Sequence, residues 1–446
     1  MTSFSCGLWH ESGEAVNSNN STNQEEPMEK IRVFIVGAGA SGLMAAIAAA
    51  RAGASVTVLE GMKKPGRKLL LTGNGRCNLT NLDKDLHLRY DSSGTDGAVP
   101  FVNSVLQSLD VSGTLRLFEE LGLASVSAGS LVYPRSGQAQ TVLGVLLAEL
   151  ERLHVKMKYN AKVKRISFSG EKGAWLLQTE GWTYEADRVV LCCGSKALPE
   201  TGSDGSGYTL AASAGHTVTD IHPALTGFEC GDPDVRAAAG ARTKAAVKLL
   251  ADTNNSGLPM TVLAKDTGEV QWTQYGLSGI VIFQLSRYAA RRSGGTLYVS
   301  LDLVPDQTEE EVRHTLRRML DHAGDAVGSV SLLNSYTHER VAAYLAKKMA
   351  DKGTGGGQRE EHIARALKNV LIPVTGLKGY DLSQICAGGI SLNEVNPETL
   401  ESLLCRGLFF AGEILDIDGP CGGYNLQWAW SSGYAAGTAA SGTPGQ

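Results

Sequence analysis

The hydrophobic positions of this chain alternate between short, continuous apolar runs and longer segments with helical spacing. Residues 31–36, 55–59 and 188–193 are β-branched or apolar almost throughout, which is typical of parallel strands buried on both faces. Helical spacing follows the first run at residues 43–51 and recurs at residues 139–153. Strands that alternate with helices in this way predict an α/β fold with a parallel central sheet.

The rest of the pattern predicts how the chain is divided. Three short β-type segments predict a meander (162–169, 174–179 and 182–186). Beyond residue 222, strand-like pieces come first (245–251, 258–264, 280–285 and 296–302) and amphipathic helices follow (308–321, 337–349 and 360–370). We therefore expect a disordered polar tail (1–27), a sheet domain in two parts (28–222 and 376–446) and an inserted domain (223–375) that is β-rich over 223–304 and helical over 305–371.

Composition narrows the class of protein. With 446 residues, 43% of them hydrophobic and 20% charged, the chain is an ordinary globular protein of two or three domains. A net charge of −5 gives no electrostatic case for a nucleic-acid or membrane partner. No apolar run approaches the roughly 20 residues of a membrane span, and the N-terminus lacks signal-peptide order. The eight cysteines form no CxxC pair, so we expect no metal and a reducing, cytoplasmic location.

The strongest motif lies between the first two predicted strands. Gly37, Gly39 and Gly42 form a GxGxxG pattern that opens the helix, and Glu60 ends the second strand 18 residues after Gly42. The first glycine permits a tight turn, the second lets the backbone approach a pyrophosphate, and the third lets helix and strand pack closely. An acid at this distance accepts hydrogen bonds from a ribose. The alternative is a glycine-rich turn in an ordinary α/β domain, but it does not explain why Glu60 stands at the expected distance from the glycines.

Two further segments have the composition of ligand-binding loops. Residues 66–78 combine Gly73 and Gly75 with the cations Arg67, Lys68 and Arg76, which suits an anionic ligand, although a solvated basic turn has the same composition. Residues 408–416 form a strand that ends in Gly-Glu and then Asp. Residues 416–427 open the last helix, whose N-terminal N–H groups can stabilise negative charge on a reduced flavin. A glycine-rich helix entry without a ligand is the alternative there.

These segments together resemble the BaiN-like FAD-dependent oxidoreductases, flavoproteins related to glutathione reductase. The resemblance rests on the unit around GAGASG, on GRKLLLTGNGRCNLTN (66–81) and on residues 407–437, and it extends from residue 28 to residue 437. It implies a Rossmann-type FAD-binding domain interrupted by an inserted β-barrel with a helical bundle. The expected FAD contacts are Gly37, Ala38, Gly39, Ala40, Ser41, Gly42, Glu60, Arg67, Lys68, Thr72, Gly73, Asn74, Gly75, Arg76, Cys77, Asn78, Val163, Gly194, Gly412, Glu413, Asp416, Gly422, Gly423, Asn425 and Leu426.

The resemblance also implies the chemistry and one departure from it. No second GxGxxG marks a separate nicotinamide domain, so we expect NADH or NADPH to bind only transiently at the flavin face. The reduced flavin then passes a hydride to an activated C=C or C=O bond, as in relatives that act on 3-oxo bile acids. Oxidation of a small amine by oxygen, as in aminoacetone oxidases, is the second hypothesis, and a flavin-binding redox sensor is the third. Gln274 and Ile280 stand where the family usually has His and Pro, so substrate choice can differ here.

Enone reduction requires a proton donor, and several side chains in loops are candidates. Tyr133, Tyr275 and Cys421 are the principal ones, with Tyr424 as a fourth that can instead pack beside the helix start. Arg76 and Arg135 can hold a substrate carboxylate, although either can also neutralise FAD phosphate. We expect a small-molecule substrate, while the sequence leaves the choice between monomer and homodimer open.

Overall fold

The computed structural model describes residues 30–93, 97–252, 260–292, 294–323, 327–351 and 358–442, so the predicted tail (1–27) lies outside the described residues. The strands are, in chain order, β1 (Arg32–Val36), β2 (Ser55–Leu59), β3 (Thr80–Asn81), β4 (Ser125–Ala128), β5 (Leu131–Pro134), β6 (Lys156–Lys158), β7 (Arg165–Ser169), β8 (Ala174–Gln178), β9 (Thr183–Ala186), β10 (Arg188–Leu191), β11 (His222–Ala224), β12 (Phe228–Cys230), β13 (Arg242–Asp252), β14 (Thr261–Trp272), β15 (Gly276–Ser278), β16 (Thr296–Asp302), β17 (Val370–Leu377), β18 (Ile385–Ala387) and β19 (Leu408–Phe410).

The helices are, in chain order, α1 (Ala40–Arg51), α2 (Arg67–Leu71), α3 (Val99–Ser108), α4 (Val111–Glu120), α5 (Ala139–Arg152), α6 (Ser206–Ser213), α7 (Ile280–Ala290), α8 (Glu309–Ala323), α9 (Ser329–Asn334), α10 (Glu339–Asp351), α11 (Arg359–Lys368) and α12 (Tyr424–Ala440). No described helix combines the length and the apolar character that crossing a bilayer requires.

A parallel sheet with the strand order β19-β10-β1-β2-β6 forms the centre of the molecule. β1 pairs with β2 on one side and with β10 on the other, both in parallel register. The side chains of Val33 and Ile35 are fully buried, as expected for a strand covered on both faces. A separate antiparallel sheet of β7, β8 and β9 is the predicted meander. The predicted Rossmann-type α/β fold is therefore confirmed.

Helices α1 and α12 cover this sheet and lie very close to each other. A Cβ added at Gly433 would collide with the carbonyl oxygen of Ser41, and one added at Gly437 would collide with the carbonyl oxygen of Ala45. Glycine at both positions lets the two helix backbones meet directly. The N-termini of both helices point toward the carboxyl end of the sheet, where β1 and β19 end.

The inserted segment folds as a closed antiparallel barrel with the strand order β12-β15-β14-β13-β16-β17. Its interior is apolar, with Phe228, Trp272 and Leu301 almost fully buried. Helices α8 to α11 pack on the barrel, and Val312 and Leu367 from these helices join the same core cluster. The barrel with helices that the resemblance implied is thus present.

One predicted element is wrong. Residues 280–285, predicted as a strand, form the first half of helix α7. The run is short and apolar apart from Gln284, a pattern that does not separate a buried strand from a buried helix. Gly279, with φ of 104°, turns the chain out of β15 and into the helix. Val281, Ile282 and Leu285 are buried there instead of in a sheet.

A partly buried charge cluster ties α5 to α1. The carboxylate of Glu149 in α5, only 7% exposed, accepts hydrogen bonds from Arg152 at 2.6 Å and from Arg51 of α1 at 2.8 Å. The hydrogen bond from Arg152 is the largest cause of a pKa below the ordinary Glu value of 4.5. A carboxyl group with a lowered folded pKa stabilises the fold above that ordinary value and loses this contribution as the pH falls through the folded pKa.

We therefore expect Glu149→Gln to lower the free energy of unfolding by about 1–2 kcal/mol near neutral pH. The amide keeps one acceptor but loses the charge. The loss stays modest because Arg152 is largely exposed and its ion pair is screened by solvent. The difference from the parent protein should shrink as the pH falls below the ordinary Glu value of 4.5 and through the lowered folded pKa, where the parent carboxylate also becomes protonated. Urea unfolding at neutral pH and at a series of acidic pH values measures this difference. A difference that stays constant across the series would contradict the assignment.

Candidate active site

A cavity of about 1040 Å³ lies at the carboxyl end of the parallel sheet, beside the inserted barrel. This volume is at the upper end of the roughly 300–1,000 Å³ of small-molecule sites. Of the expected FAD contacts, the cavity is lined by Gly37, Ala38, Gly39, Ala40, Ser41, Glu60, Arg67, Lys68, Thr72, Gly73, Asn74, Arg76, Asn78, Val163, Gly194, Glu413, Gly422, Gly423, Asn425 and Leu426. The expected contacts that do not line it are Gly42, Gly75, Cys77, Gly412 and Asp416.

The turn between β1 and α1 has the geometry of a phosphate site. Gly37 has φ of 104°, and a Cβ there would come within 2.5 Å of the carbonyl oxygen of Cys192. A Cβ at Gly42 would collide with the carbonyl of Gly37, so the third glycine fixes the helix against the turn. A Cβ at Gly39 would meet nothing within 4 Å, because this residue faces the cavity. The unpaired N–H groups of the first helical turn therefore border open space, which fits a pyrophosphate.

Glu60 borders the same cavity at the end of β2. Its two carboxylate oxygens accept hydrogen bonds from the backbone N–H groups of Ala38 and Met62, each at 2.7 Å. Burial raises the pKa of Glu60 above its ordinary value, and these N–H donors oppose that rise. A Cβ at Gly202 would come within 2.8 Å of the Met62 side chain, so the glycine-rich loop before α6 lies on the side of Glu60. A ribose with two hydroxyl groups fits this position.

The basic loop after β2 forms helix α2 and a tight turn. Gly73 and Asn74 are both left-handed, with φ of 57° and 55°, and Gly75 follows with φ of 81°. The Lys68 ammonium lies 2.6 Å from Glu413, which follows β19, so this lysine is already paired across the cavity wall. The Arg76 guanidinium lies 4.7 Å from the ring centroid of Tyr133.

The entry to α12 forms another wall. Gly422 and Gly423 have φ of 117° and 93°, and the helix begins at the next residue. Asn425 holds the preceding loop, since its side chain accepts from the N–H of Gly419 and donates to the carbonyl of the same residue, both at 2.8 Å. With its amide oriented to donate to the carbonyls of Val132 and Thr80, Asn78 accepts from the N–H of Gly423.

The three principal candidates for proton donation fall in different places. Tyr133 and Cys421 line the cavity. The Tyr275 ring instead lies under the Lys378 ammonium, at 5.0 Å, and is not among the residues that line the cavity. Asp416 accepts hydrogen bonds from Ser93 and Thr219. Among the described residues, no group of three or more His, Cys, Asp or Glu side chains is arranged to hold a metal ion.

Several cavity residues carry no sequence signal of their own. The inserted domain contributes Arg242, Asp266, Glu269, Gln271, Ile280, Val281 and Phe283, and the return segment contributes Gln384 and Ile385. Of these, Ile280 alone was marked in the sequence, as a departure from the family pattern. The Arg242 guanidinium pairs with Glu269 at 3.0 Å. The barrel brings these side chains to the cavity, and no local motif predicts that placement.

Several known proteins are similar to this chain. The chain is 40% identical over 422 residues to the 3-dehydro-bile acid delta(4,6)-reductase of Clostridium scindens, covering 93% of this chain and 100% of that protein. It is 28% identical over 427 residues to the ribosomal RNA dihydrouridine synthase of Escherichia coli, covering 92% of this chain and 97% of that protein. A solved structure of a 3-ketosteroid-delta4-(5alpha)-dehydrogenase from Rhodococcus jostii RHA1 matches with 16% identity and a TM-score of 0.47, covering 94% of this chain and 99% of that one.

The family match covers nearly the whole described chain. Residues 31–439 match the HI0933-like protein Rossmann domain. This range contains the βαβ unit, the barrel and the α12 entry together. The chain therefore belongs to the HI0933-like family and is a BaiN-like FAD-dependent oxidoreductase, as its motifs indicated.

Proposed function

We propose that this protein uses NADH or NADPH to reduce a carbon–carbon double bond conjugated with a carbonyl group in an apolar, steroid-like substrate. The observation that carries the proposal is the 40% identity to a bile-acid delta(4,6)-reductase along that protein's full length. When bound, FAD supplies a hydride to one carbon of the double bond. The chain's own residues must hold the cofactor, seat the substrate and provide a proton for the second carbon.

Large aliphatic and aromatic residues that line the cavity support an apolar substrate. Ile280 of α7 is 67% exposed, and Leu71 at the end of α2 is 53% exposed, although both are large aliphatic residues that line the cavity. Phe283 lies one helical turn after Ile280 and lines it too. Exposed aliphatic side chains around a cavity mark a surface that an apolar ligand can cover.

The dihydrouridine synthase relative suggests a second substrate for the same chemistry. Dihydrouridine is uridine whose ring double bond, conjugated with a carbonyl, has been reduced, so both relatives' names describe reduction of the same type of bond. An RNA substrate requires a cationic approach surface. Cations do line the cavity, but the exposed Leu71 and Ile280 among them favour the steroid.

Cys421 is the stronger of the two cavity-lining candidates for the proton donor. Its thiol lies 3.7 Å from the side-chain oxygen of Gln384, which also lines the cavity. Burial raises the pKa of this thiol to about 12, so it keeps its proton at neutral pH and would give it up only to a strong base such as the enolate that hydride addition leaves. The Tyr133 ring is already engaged by Arg76.

For the cofactor, we expect Glu60→Gln to weaken FAD binding by roughly tenfold to a hundredfold, the effect of losing one or two hydrogen bonds from ribose to a charged acceptor. Titration of the apoprotein with FAD, followed by flavin fluorescence, measures the dissociation constant. Glu180→Gln is the control, because the Glu180 side chain is 89% exposed and pairs only with Lys164 in the described structure. Equal affinity of the Glu60 variant and the control would contradict the ribose assignment.

For the reaction, we expect anaerobic NADH or NADPH to bleach the oxidised flavin spectrum, and a 3-oxo-4,6-diene bile acid to restore it. Stopped-flow absorbance separates the two half-reactions. In parallel, ribosomal RNA that lacks dihydrouridine is added to the reduced enzyme. Aminoacetone is added to the oxidised enzyme. Restoration by RNA and not by the steroid would replace the proposal with uridine reduction. Bleaching by aminoacetone and by neither nucleotide would replace it with amine oxidation.

For the proton donor, we expect Cys421→Ala to slow flavin reoxidation by the steroid at least about a hundredfold, the lower range for general acid catalysis, while reduction by NADH or NADPH keeps its rate. Cys405→Ser is the matched control, since the Cys405 thiol donates to the carbonyl of Ala214 and does not line the cavity. Unchanged reoxidation in the Cys421 variant would exclude it as the donor and direct attention to Tyr133.

A further inference from the structure

Helix α7 of the inserted domain contacts two parts of the site at once. Ile280, Val281 and Phe283 of this helix line the cavity. Side chains further along the same helix, Gln284 and Arg287, reach the loop that leads from β19 into α12. The helix that borders the proposed substrate space therefore also holds the segment before the α12 N-terminus.

Gln284 holds the backbone of this loop from both sides. The N–H of Cys421 donates to the Gln284 side-chain oxygen at 2.9 Å, and the Gln284 amide nitrogen donates to the carbonyl of Cys421 at 3.5 Å. The side chain thus pairs with residue 421 much as a neighbouring strand would. The next two residues are Gly422 and Gly423, whose left-handed conformations start α12. Two consecutive glycines restrict the backbone very little, so contacts from other residues are needed to fix the conformation of this segment.

Arg287 fixes the start of the same loop. Its side chain is 3% exposed and that of Asp418 is 2% exposed, with Nε and Oδ1 2.5 Å apart. A second guanidinium nitrogen donates to the Asp418 carbonyl and to the Asp91 carboxylate, both at 2.9 Å, and Arg291 contacts the other Asp418 oxygen. A buried pair of this kind adds little net stability but defines geometry, because each partner left alone would be an uncompensated buried charge.

Because Gln284 and Arg287 hold the loop before α12 in place, this loop determines where the first turn of α12 lies. Asn425 and Leu426 in that turn line the cavity, and the first intrahelical bond is accepted by the carbonyl of Gly423. The N–H groups of residues 424–426 therefore have no acceptor within the helix, and the helix presents its positive end there. Such donors stabilise negative charge on a reduced cofactor, and their effect falls off within about one turn.

We propose that Gln284 and Arg287 are positioning residues through which the inserted domain sets the flavin reduction potential. By fixing Asp418 and Cys421, they hold the α12 N-terminus against the bound FAD and raise its potential. Because Ile280 and Phe283 lie on the same helix, a ligand that packs on them also changes that potential. This inference rests on the FAD binding of the proposed function, but not on which substrate is reduced.

The test measures the flavin midpoint potential of the purified holoenzyme by equilibration with a reference dye. Gln284→Leu removes both hydrogen bonds at nearly constant size. We expect the ratio of reduced to oxidised flavin at a given dye potential to fall by roughly threefold to tenfold, the range of a helix-terminus effect. Tyr288→Phe is the control, because Tyr288 is exposed on the same helix and no described hydrogen bond joins its hydroxyl to the loop.

Arg287→Lys separates geometry from charge and covers the case in which Gln284→Leu does not fold. Lysine keeps the positive charge but cannot contact Asp418 at two points. We expect a shift in the same direction as for Gln284→Leu. A parent-like potential in Arg287→Lys would mean that charge alone matters and would overturn the positioning role. Equal potentials in Gln284→Leu and the parent enzyme would overturn it as well.

A ligand titration tests the coupling. A saturated 3-oxo steroid, which has no double bond to reduce, should shift the potential of the parent enzyme and shift that of Gln284→Leu less. Equal shifts in the two proteins would overturn the coupling. A parent protein that binds no FAD would instead overturn the proposed function, so the two failures are distinguishable.

Discussion

The site depends first on the direct contact between α1 and α12. Gly433 and Gly437 leave room for the backbone of α1 at Ser41 and Ala45, so the helix axes approach as closely as the main chains allow. Any side chain at either glycine would separate the helices. Because both helices present their N-termini to the cavity, their separation decides how far apart the two sets of unpaired N–H groups lie. One contact thus sets the spacing between the two helix N-termini that border the cavity.

Hydrogen bonds to the end of β19 reinforce this contact. The Ser41 hydroxyl donates to the Ala411 carbonyl at 3.3 Å, and the Ser432 hydroxyl accepts from the N–H of Gly412 at 2.9 Å. The buried Trp428 indole donates to the Gly412 carbonyl at 3.1 Å. The two helices and the strand that delivers Glu413 therefore form one rigid support. Residues almost 400 positions apart in the sequence meet there because β10 and β19 return the chain to the edge of β1.

Local chemistry explains which parts of this could be predicted from sequence. The turn at Gly37, the acid at Glu60 and the α12 entry at Gly423 each need a particular residue type at a fixed spacing, so the sequence alone indicates them. The strand at Thr296–Asp302 was likewise predicted with its observed bounds. Such segments supply most of the residues that line the cavity at the parallel sheet, while their contacts with FAD stay a prediction.

The inserted-domain side of the cavity was not predictable in the same way. Its residues come from a barrel whose closure depends on pairings between distant strands, such as β16 with β17, which no local pattern encodes. Helix α7 is the clearest case, since its short apolar run predicts a strand. Its surroundings decide otherwise, with Gly279 turning the chain and the buried Arg287 requiring Asp418 as a partner. The hydrogen bonds between Gln284 and Cys421 exist only through that tertiary placement.

The division of the cavity also bears on how one fold can serve different reductions. At the parallel sheet the cavity is lined by main-chain N–H groups and glycines, whereas the inserted domain lines it with side chains of α7 and β14. Those side chains are free to differ without disturbing the turn at Gly37. Because α7 lines the cavity and also holds the α12 entry, the proposed coupling predicts that a change in its cavity-lining side chains also alters the flavin potential.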